Sequence, residues 1–313
     1  MNLFAAKRLV RAPLRVAANE TGMDAGIAKL VARTGRLEDR LEAGELARWP
    51  DAPFPIPDAD DRAFLAQQRL AGSREITYTA DKDRVAGFRV HSADQTTRLR
   101  RILAEASRAA TDWLKRVAPA YAAVAVPTRV NFHPEEQAIR TLRTTAREDL
   151  LHIDAVHESG GARLLRLYVN LHPTDDRVWI TSDTFSQIYP TFGHKANLSA
   201  PPAVRLGQKI VRWFRGQRTD LTPYDEFMLG FARALKHSDP FQDKAPRNIV
   251  RFAPLSAWLA FTDGLVHADL RGQFLLDFLF LIPTSLLVRP ESAPSSIILR
   301  TPPAPMMRPA RAA

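Results

Sequence analysis

Apolar residues recur along this chain with two periods, and the change from one to the other marks its organisation. Ala25 to Trp49 sets Ile27, Leu30, Val31, Leu37, Leu41 and Leu46 at approximately helical spacing, which predicts a helical N-terminal region. Pro50 to Asp61, rich in Pro, Asp and Ala, reads as a linker. Thr96 to Val117 gives the clearest helix, with Leu99, Ile102, Leu103, Ala106, Ala110, Trp113 and Leu114 on one stripe. Strand-length segments precede and follow it. Arg74 to Thr79 is one; from Val126 onward come Thr128 to His133, Leu150 to Val156, Ala162 to Leu171, Arg177 to Thr181, Asn248 to Phe252, Ala257 to Thr262 and Gln273 to Ile282. Gly160-Gly161 marks a turn, and Tyr224 to His237 reads as an inserted helix. Many short strands separated by polar turns predict an α+β chain with a mainly β core, a sandwich or barrel rather than alternating β-α-β units.

The expected divisions are a helical extension and linker over residues 1–60, a β domain with inserted helices over 61–288, and a tail rich in Pro, Ala and Arg over 289–313, expected to be poorly ordered. Composition narrows the chemistry. The chain has 313 residues, 45% hydrophobic and 25% charged, and no cysteine. Thiolate metal sites, iron–sulfur clusters and cysteine nucleophiles are excluded, so a metal must be held by nitrogen and oxygen. No apolar run is long enough to span a bilayer, and the start lacks the continuous apolar core of a signal peptide. A cytoplasmic protein is expected. The net charge of +10 favours anionic partners. Lys7, Arg8, Arg11 and Arg15 interleave with Leu3, Phe4, Leu9, Val10 and Leu14, a pattern suited to peripheral contact with an anionic membrane, on the inner face of the inner membrane, although Pro13 interrupts it.

The candidate chemistry lies at Leu151-His152-Ile153-Asp154-Ala155, answered far downstream by His267. Side chains two apart on a strand project to one face, so His152 and Asp154 can reach one metal ion and His267 can supply a third ligand from another strand. Two histidines and a carboxylate on one side of a metal form the facial triad of non-haem Fe(II) oxygenases. A hydrogen-bonded His–Asp pair at a strand end is the plainer reading of the first motif. Asp263 and Asp269 flank His267 as acids able to orient its ring. His157 and His172 are the substitute ligands.

The blocks Leu151 to Ala155, Leu164 to Pro173, Arg177 to Trp179 and Trp258 to Phe274 resemble the Kdo hydroxylase family over roughly residues 75–300. The resemblance implies a double-stranded β-helix (jelly-roll, cupin-like) with N-terminal and flanking helices. It also implies an Fe(II)- and 2-oxoglutarate-dependent dioxygenase, with O2 as second co-substrate, that hydroxylates C3 of the sugar Kdo on a lipid A–Kdo glycolipid. It carries the metal triad onto His152, Asp154 and His267, and points to Asn170 and Gln273 for the co-substrate pocket. One departure stands out: the strand after the second histidine, Leu275 to Ile282, has no arginine to grip the far carboxylate of 2-oxoglutarate. Arg166 is expected to replace it, because it shares strand parity with Tyr168 and Asn170 and its fork suits a carboxylate; Arg140 and Arg143 are in reserve.

Two other readings stay open. One is a 2-oxoglutarate dioxygenase acting on another acidic glycan or lipid. The other is a basic β-barrel binding module without enzymatic activity, for which Arg212-Trp-Phe-Arg215 offers aromatics beside cations. A nucleic-acid partner is not expected, since no recognised nucleic-acid motif is present. No Gly-x-Ser-x-Gly elbow, P-loop or dinucleotide fingerprint appears either.

Overall fold

A computed structural model describes residues 35–136, 142–157, 159–193 and 221–300. Arg140, His194, the Arg212 to Arg215 segment, most of the expected first helix and residues 301–313 lie outside the described residues. Among the described residues there are ten strands: β1 (Ala47–Trp49), β2 (Ile76–Thr79), β3 (Arg84–Ala86), β4 (Arg129–His133), β5 (Arg163–Asn170), β6 (Arg177–Thr184), β7 (Asn248–Phe252), β8 (Ala257–Phe261), β9 (Leu265–Arg271) and β10 (Leu275–Ile282). The helices are α1 (Leu37–Glu42), α2 (Ala59–Ala66), α3 (Ala93–Val117), α4 (Phe185–Phe192), α5 (Pro223–Lys236), α6 (Asp239–Lys244) and α7 (Pro294–Arg300). The strands form a seven-stranded antiparallel sheet, β1-β8-β5-β10-β4-β2-β3, and a three-stranded sheet, β7-β6-β9. This is the jelly-roll architecture of the double-stranded β-helix.

Strand parity sorts the side chains. On the large sheet Val130 and Phe132, Leu165, Leu167 and Val169, and Leu276, Phe278 and Phe280 point to the outer face. There they pack on Leu99, Ile102, Leu103, Ala106, Ala110, Trp113 and Leu114, the stripe read from the sequence as the buried side of α3. Ser92 starts that helix by accepting a hydrogen bond from the Gln95 amide at 3.0 Å, and Lys115 and Arg116 favour the negative end of its dipole. The opposite parity faces the small sheet: Tyr168, Trp258 and Leu275 meet Trp179 and Phe252 in an inner cluster. Outside the small sheet, Ile180, Val266 and Ala268 pack on α4 and α5 through Phe185, Tyr189, Phe227 and Phe231. Both sheets thus carry a packed apolar layer on the outside, although β7 is largely exposed, and the inner space between them holds polar groups as well as aromatics.

Several expected boundaries move. Trp49 is not helical: β1 pairs with β8, with Trp49 opposite Ala257, so the large sheet recruits residues assigned to the N-terminal extension. The described residues from Arg36 onward belong to one compact unit. Residues 289–300 are not loose either. α7 sets Ile297 and Ile298 against the core outside the small sheet. Tyr189 belongs to α4, whose start is fixed by a capping box between Thr184 and Gln187. The expected strand over Leu150 to Val156 shrinks to one bridge, His152 opposite His267.

Candidate metal centre

That single bridge brings the two sequence blocks together. The amide of His152 donates to the carbonyl of His267 and the reverse bond also forms, both at 2.9 Å. Two residues on, the Asp154 amide donates to the Thr262 carbonyl at 2.9 Å. The peptide before His152 is fixed by the buried amide of Gln242, which accepts from Leu151 N at 2.9 Å and donates to Leu151 O at 2.8 Å. His152, Asp154 and His267 consequently project into one cavity of about 260 Å3, and one ligand atom from each lies within 4.8 Å of the others. His152 Nε2 and His267 Nε2 stand 3.6 and 3.8 Å from Asp154 Oδ1.

The tautomers suit a metal. His152 Nδ1 is 2.7 Å from the Leu150 carbonyl, and His267 Nδ1 is 3.0 Å from the Leu265 carbonyl. A carbonyl only accepts, so each Nδ1 carries a hydrogen, and each Nε2 presents its lone pair to a metal once the ring is neutral. The expected orienting acids are engaged elsewhere: Asp263 with Arg163 at 2.9 Å, Asp269 with Arg177. Trp179 fixes the His267 ring by stacking at 5.0 Å and 21°.

Charge is concentrated here. Burial alone would lower the His152 imidazole, but Glu148, then Asp154, push it up to about 9. Burial takes the opposite course at His267 and pushes it down to about 4 against the pull of Asp154. Burial opposes ionisation of Asp154 and of Glu148 as well. Arg166 and His152 nevertheless hold Asp154 well below the usual range, and His152 and Lys236 do the same for Glu148. Glu148 Oε2 forms an ion-pair contact with His152 Nε2 at 2.7 Å that lacks the alignment of a hydrogen bond, so this buried nitrogen has no well-aligned protein partner. An inward-facing imidazole nitrogen among two carboxylates and a second imidazole is a site that fits a divalent cation, and the 2-His-1-carboxylate set fits ferrous iron.

Arg166 does point inward. Its Nε is 2.8 Å from Asp154 Oδ2 and its Nη1 contacts Asp277 Oδ2. Asp277 occupies an inward position of β10, which therefore offers an acid where a grip for carboxylate was sought. Asn170 is not brought to the cavity: its amide donates to the Asp175, Phe252 and Ala253 carbonyls and ties loops at the strand end. Gln273 is exposed and Arg143 is exposed, neither lining the cavity. His172 accepts from the Asp175 amide at 2.8 Å and stacks on Phe274, a turn role. His157 lines a second cavity, away from the triad, beside Lys82, Val126 and Leu279. Sequence reasoning missed Glu148, Trp179 as a site residue, Asn131 and His133. Glu148 shares strand parity with His152 and Asp154, and that signal was available.

Comparison with known proteins agrees with this geometry. The family of 3-deoxy-D-manno-oct-2-ulosonic acid (Kdo) hydroxylases matches residues 28–302. No match was found among curated proteins. Solved structures of the Kdo hydroxylase KdoO, a non-haem Fe(II) α-ketoglutarate-dependent dioxygenase, are similar. The cobalt(II) complex superposes with a TM-score of 0.75 at 25% identity, covering 84% of this chain and 87% of that one. The complex with α-ketoglutarate and Fe(III) gives 0.73 at the same identity and coverage. With the family matched over most of its length and a facial triad at the place the fold provides for it, this chain belongs to the Kdo hydroxylase family.

Proposed function

We propose that this protein is an Fe(II)- and 2-oxoglutarate-dependent dioxygenase that hydroxylates the Kdo sugar, at C3, of lipid A–Kdo precursors. The observation that carries it is the convergence of His152 Nε2, Asp154 Oδ1 and His267 Nε2, with both Nδ1 atoms pinned to backbone carbonyls. Held by His152, Asp154 and His267, ferrous iron would supply, with 2-oxoglutarate and O2, the oxidation that inserts one oxygen into a C–H bond while the co-substrate is converted to succinate and CO2. The chain's own part is positional. His152 and His267 enter as neutral ligands whose remaining N–H is held. Asp154 offers one oxygen to the metal while Arg166 holds the other. Because all three ligands come from one side, the opposite side is left for co-substrate and oxygen.

Arg166 is the co-substrate grip on this reading. Its guanidinium has five N–H donors, more than Asp154 and Asp277 take, and it lies inside the cavity beside Asn131 and Tyr168. Arg74 and Arg271 line the same cavity and suit the sugar carboxylate. Mass spectrometry of lipid A–Kdo from cells with and without the protein should show a gain of one oxygen on the Kdo unit. An unchanged glycan beside active 2-oxoglutarate turnover would redirect the reading to another acidic substrate.

We further propose a cytoplasmic location, peripheral on the inner face of the inner membrane, a reading supported by the glycolipid substrate proposed above and the net charge of +10. Co-sedimentation with anionic vesicles, full chain against a chain lacking residues 1–20, should show weaker binding of the shorter one; equal binding removes the anchoring role of that segment.

A further inference from the structure

The cavity wall next to His267 carries two buried polar atoms that the protein itself leaves unsatisfied. Asp269 follows His267 by two residues on β9 and so shares its inward face. Its Oδ2 is taken by Arg177, while its Oδ1 is buried without a hydrogen-bond partner. Directly opposite on β6, in register with Asp269, stands Trp179, whose Nε1 is also buried without a partner. Both residues line the cavity. Cross-strand partners hold their Cβ atoms about 4.5–5.5 Å apart, yet this acceptor and this donor do not satisfy each other. Folded proteins leave few such atoms unpaired, and a matched pair of them at a cavity wall points to a group that binds there.

The missing group must donate to a carboxylate oxygen and accept from an indole N–H. A carboxylate only accepts and an ammonium only donates; a hydroxyl does both. 2-Oxoglutarate has two carboxylates and a ketone but no hydroxyl, so the pair is not built for the co-substrate. A sugar acid carries several hydroxyls. We propose that Asp269 and Trp179 are the specificity-determining pair that binds a hydroxyl of the polyhydroxy-acid substrate beside the metal centre; the inference rests on the substrate class given under Proposed function. Arg177 is the positioning residue. Its Nη1 donates to the Gly272 carbonyl at 3.2 Å while Nη2 holds Asp269. A Cβ at Gly272 would fall 2.8 Å from Arg177 Cγ, so the β9–β10 turn packs on the arginine stem and keeps the carboxylate facing inward.

The test uses the full chain loaded with Fe(II) and 2-oxoglutarate under anaerobic conditions, with free Kdo as the probe. Asp269→Asn should weaken Kdo binding by about tenfold or more, the loss of a charge-assisted hydrogen bond, while 2-oxoglutarate binds as in the parent. Trp179→Phe keeps a ring against His267, removes the N–H and should weaken Kdo binding in the same sense; it carries the test alone if Asp269→Asn does not fold. Equal Kdo binding by parent and folded variants overturns the pairing and leaves the substrate reading intact. A parallel loss of 2-oxoglutarate binding in both variants overturns it too, by making the pair a brace for the metal site. No Kdo binding by the loaded parent overturns the inference, while the mass spectrometry of the glycolipid decides the substrate reading separately.

Discussion

At the scale of single residues, the site separates groups that touch a metal from those that hold them. His267→Ala removes one of the three ligand atoms, and one of the two imidazole nitrogens, without touching the β6–β9 ladder. It should reduce iron content well below one per chain and abolish 2-oxoglutarate turnover, by more than the about 10- to 100-fold typical of losing an outer partner. Metal analysis of protein purified without air checks it; full iron loading would remove His267 from the triad. Glu148 is the subtler case. It is held by Arg74 at 2.9 Å and Lys236 at 3.3 Å and presents a carboxylate to His152 Nε2. Its negative charge favours a cation beside the imidazole. Glu148→Gln should weaken iron binding by about tenfold to 100-fold while 2-oxoglutarate still binds the loaded protein. Tighter iron binding by the variant would show instead that Glu148 competes with the metal for His152.

At the scale of elements, long-range polar ties complement the sheets. Glu42, at the end of α1, is 3% exposed. It accepts from Tyr121 Oη at 2.6 Å and from the amides of Val288 and Arg289 at 2.9 and 2.5 Å. One carboxylate thus joins α1, the turn after α3 and the segment before α7. Glu42→Ala strands a phenol and two amides and should cost about 3 kcal/mol or more, given about 1–3 kcal/mol for each buried group left unmet. The urea midpoint should fall with an unchanged slope; an unmoved midpoint would mean that the tie is dispensable. None of this was legible in the sequence, because Glu42 sits in an ordinary charged stretch and its partners lie 79 and 246–247 residues away. What was legible followed a period. α3 showed its stripe, β7 its ends and β10 its apolar run. The triad was legible because i and i+2 parity on a strand needs no partner to be read. Arg166 was placed correctly by the same parity. Asn170 shares that parity but stands at the strand end, where loop carbonyls capture its amide, and parity says nothing about such capture. β9 was expected only as the strand carrying His267, without bounds, because its inward positions, His267, Asp269 and Arg271, are polar and its apolar positions, Val266, Ala268 and Leu270, are few.

At the scale of the whole molecule, all five tyrosines are drawn into the interior. Tyr78, Tyr121, Tyr168, Tyr189 and Tyr224 each have their phenol pushed up, in every case first by burial. At Tyr121 the adjacent Glu42 carboxylate adds to it, and at Tyr78 Asp83 does the same. These phenols belong to different layers. Tyr78 and Tyr121 pack in the core under α3, Tyr168 lies between the sheets, and Tyr189 and Tyr224 pack outside the small sheet. An unfolded chain gives up its phenolic protons near pH 10, whereas the folded one retains them. The stability they lend is therefore whole below about pH 10 and is lost as the pH climbs above it, by about 1.4 kcal/mol per pH unit for each phenol that ionises only on unfolding. Because the phenols are spread through every layer, no local opening releases them all. An alkaline titration should show tyrosinate absorbance rising in one cooperative step that coincides with loss of the near-ultraviolet circular dichroism of the buried tryptophans. Phenols ionising one after another near pH 10 in a molecule that keeps its tryptophan signal would mean that these layers admit water far more readily than their packing allows.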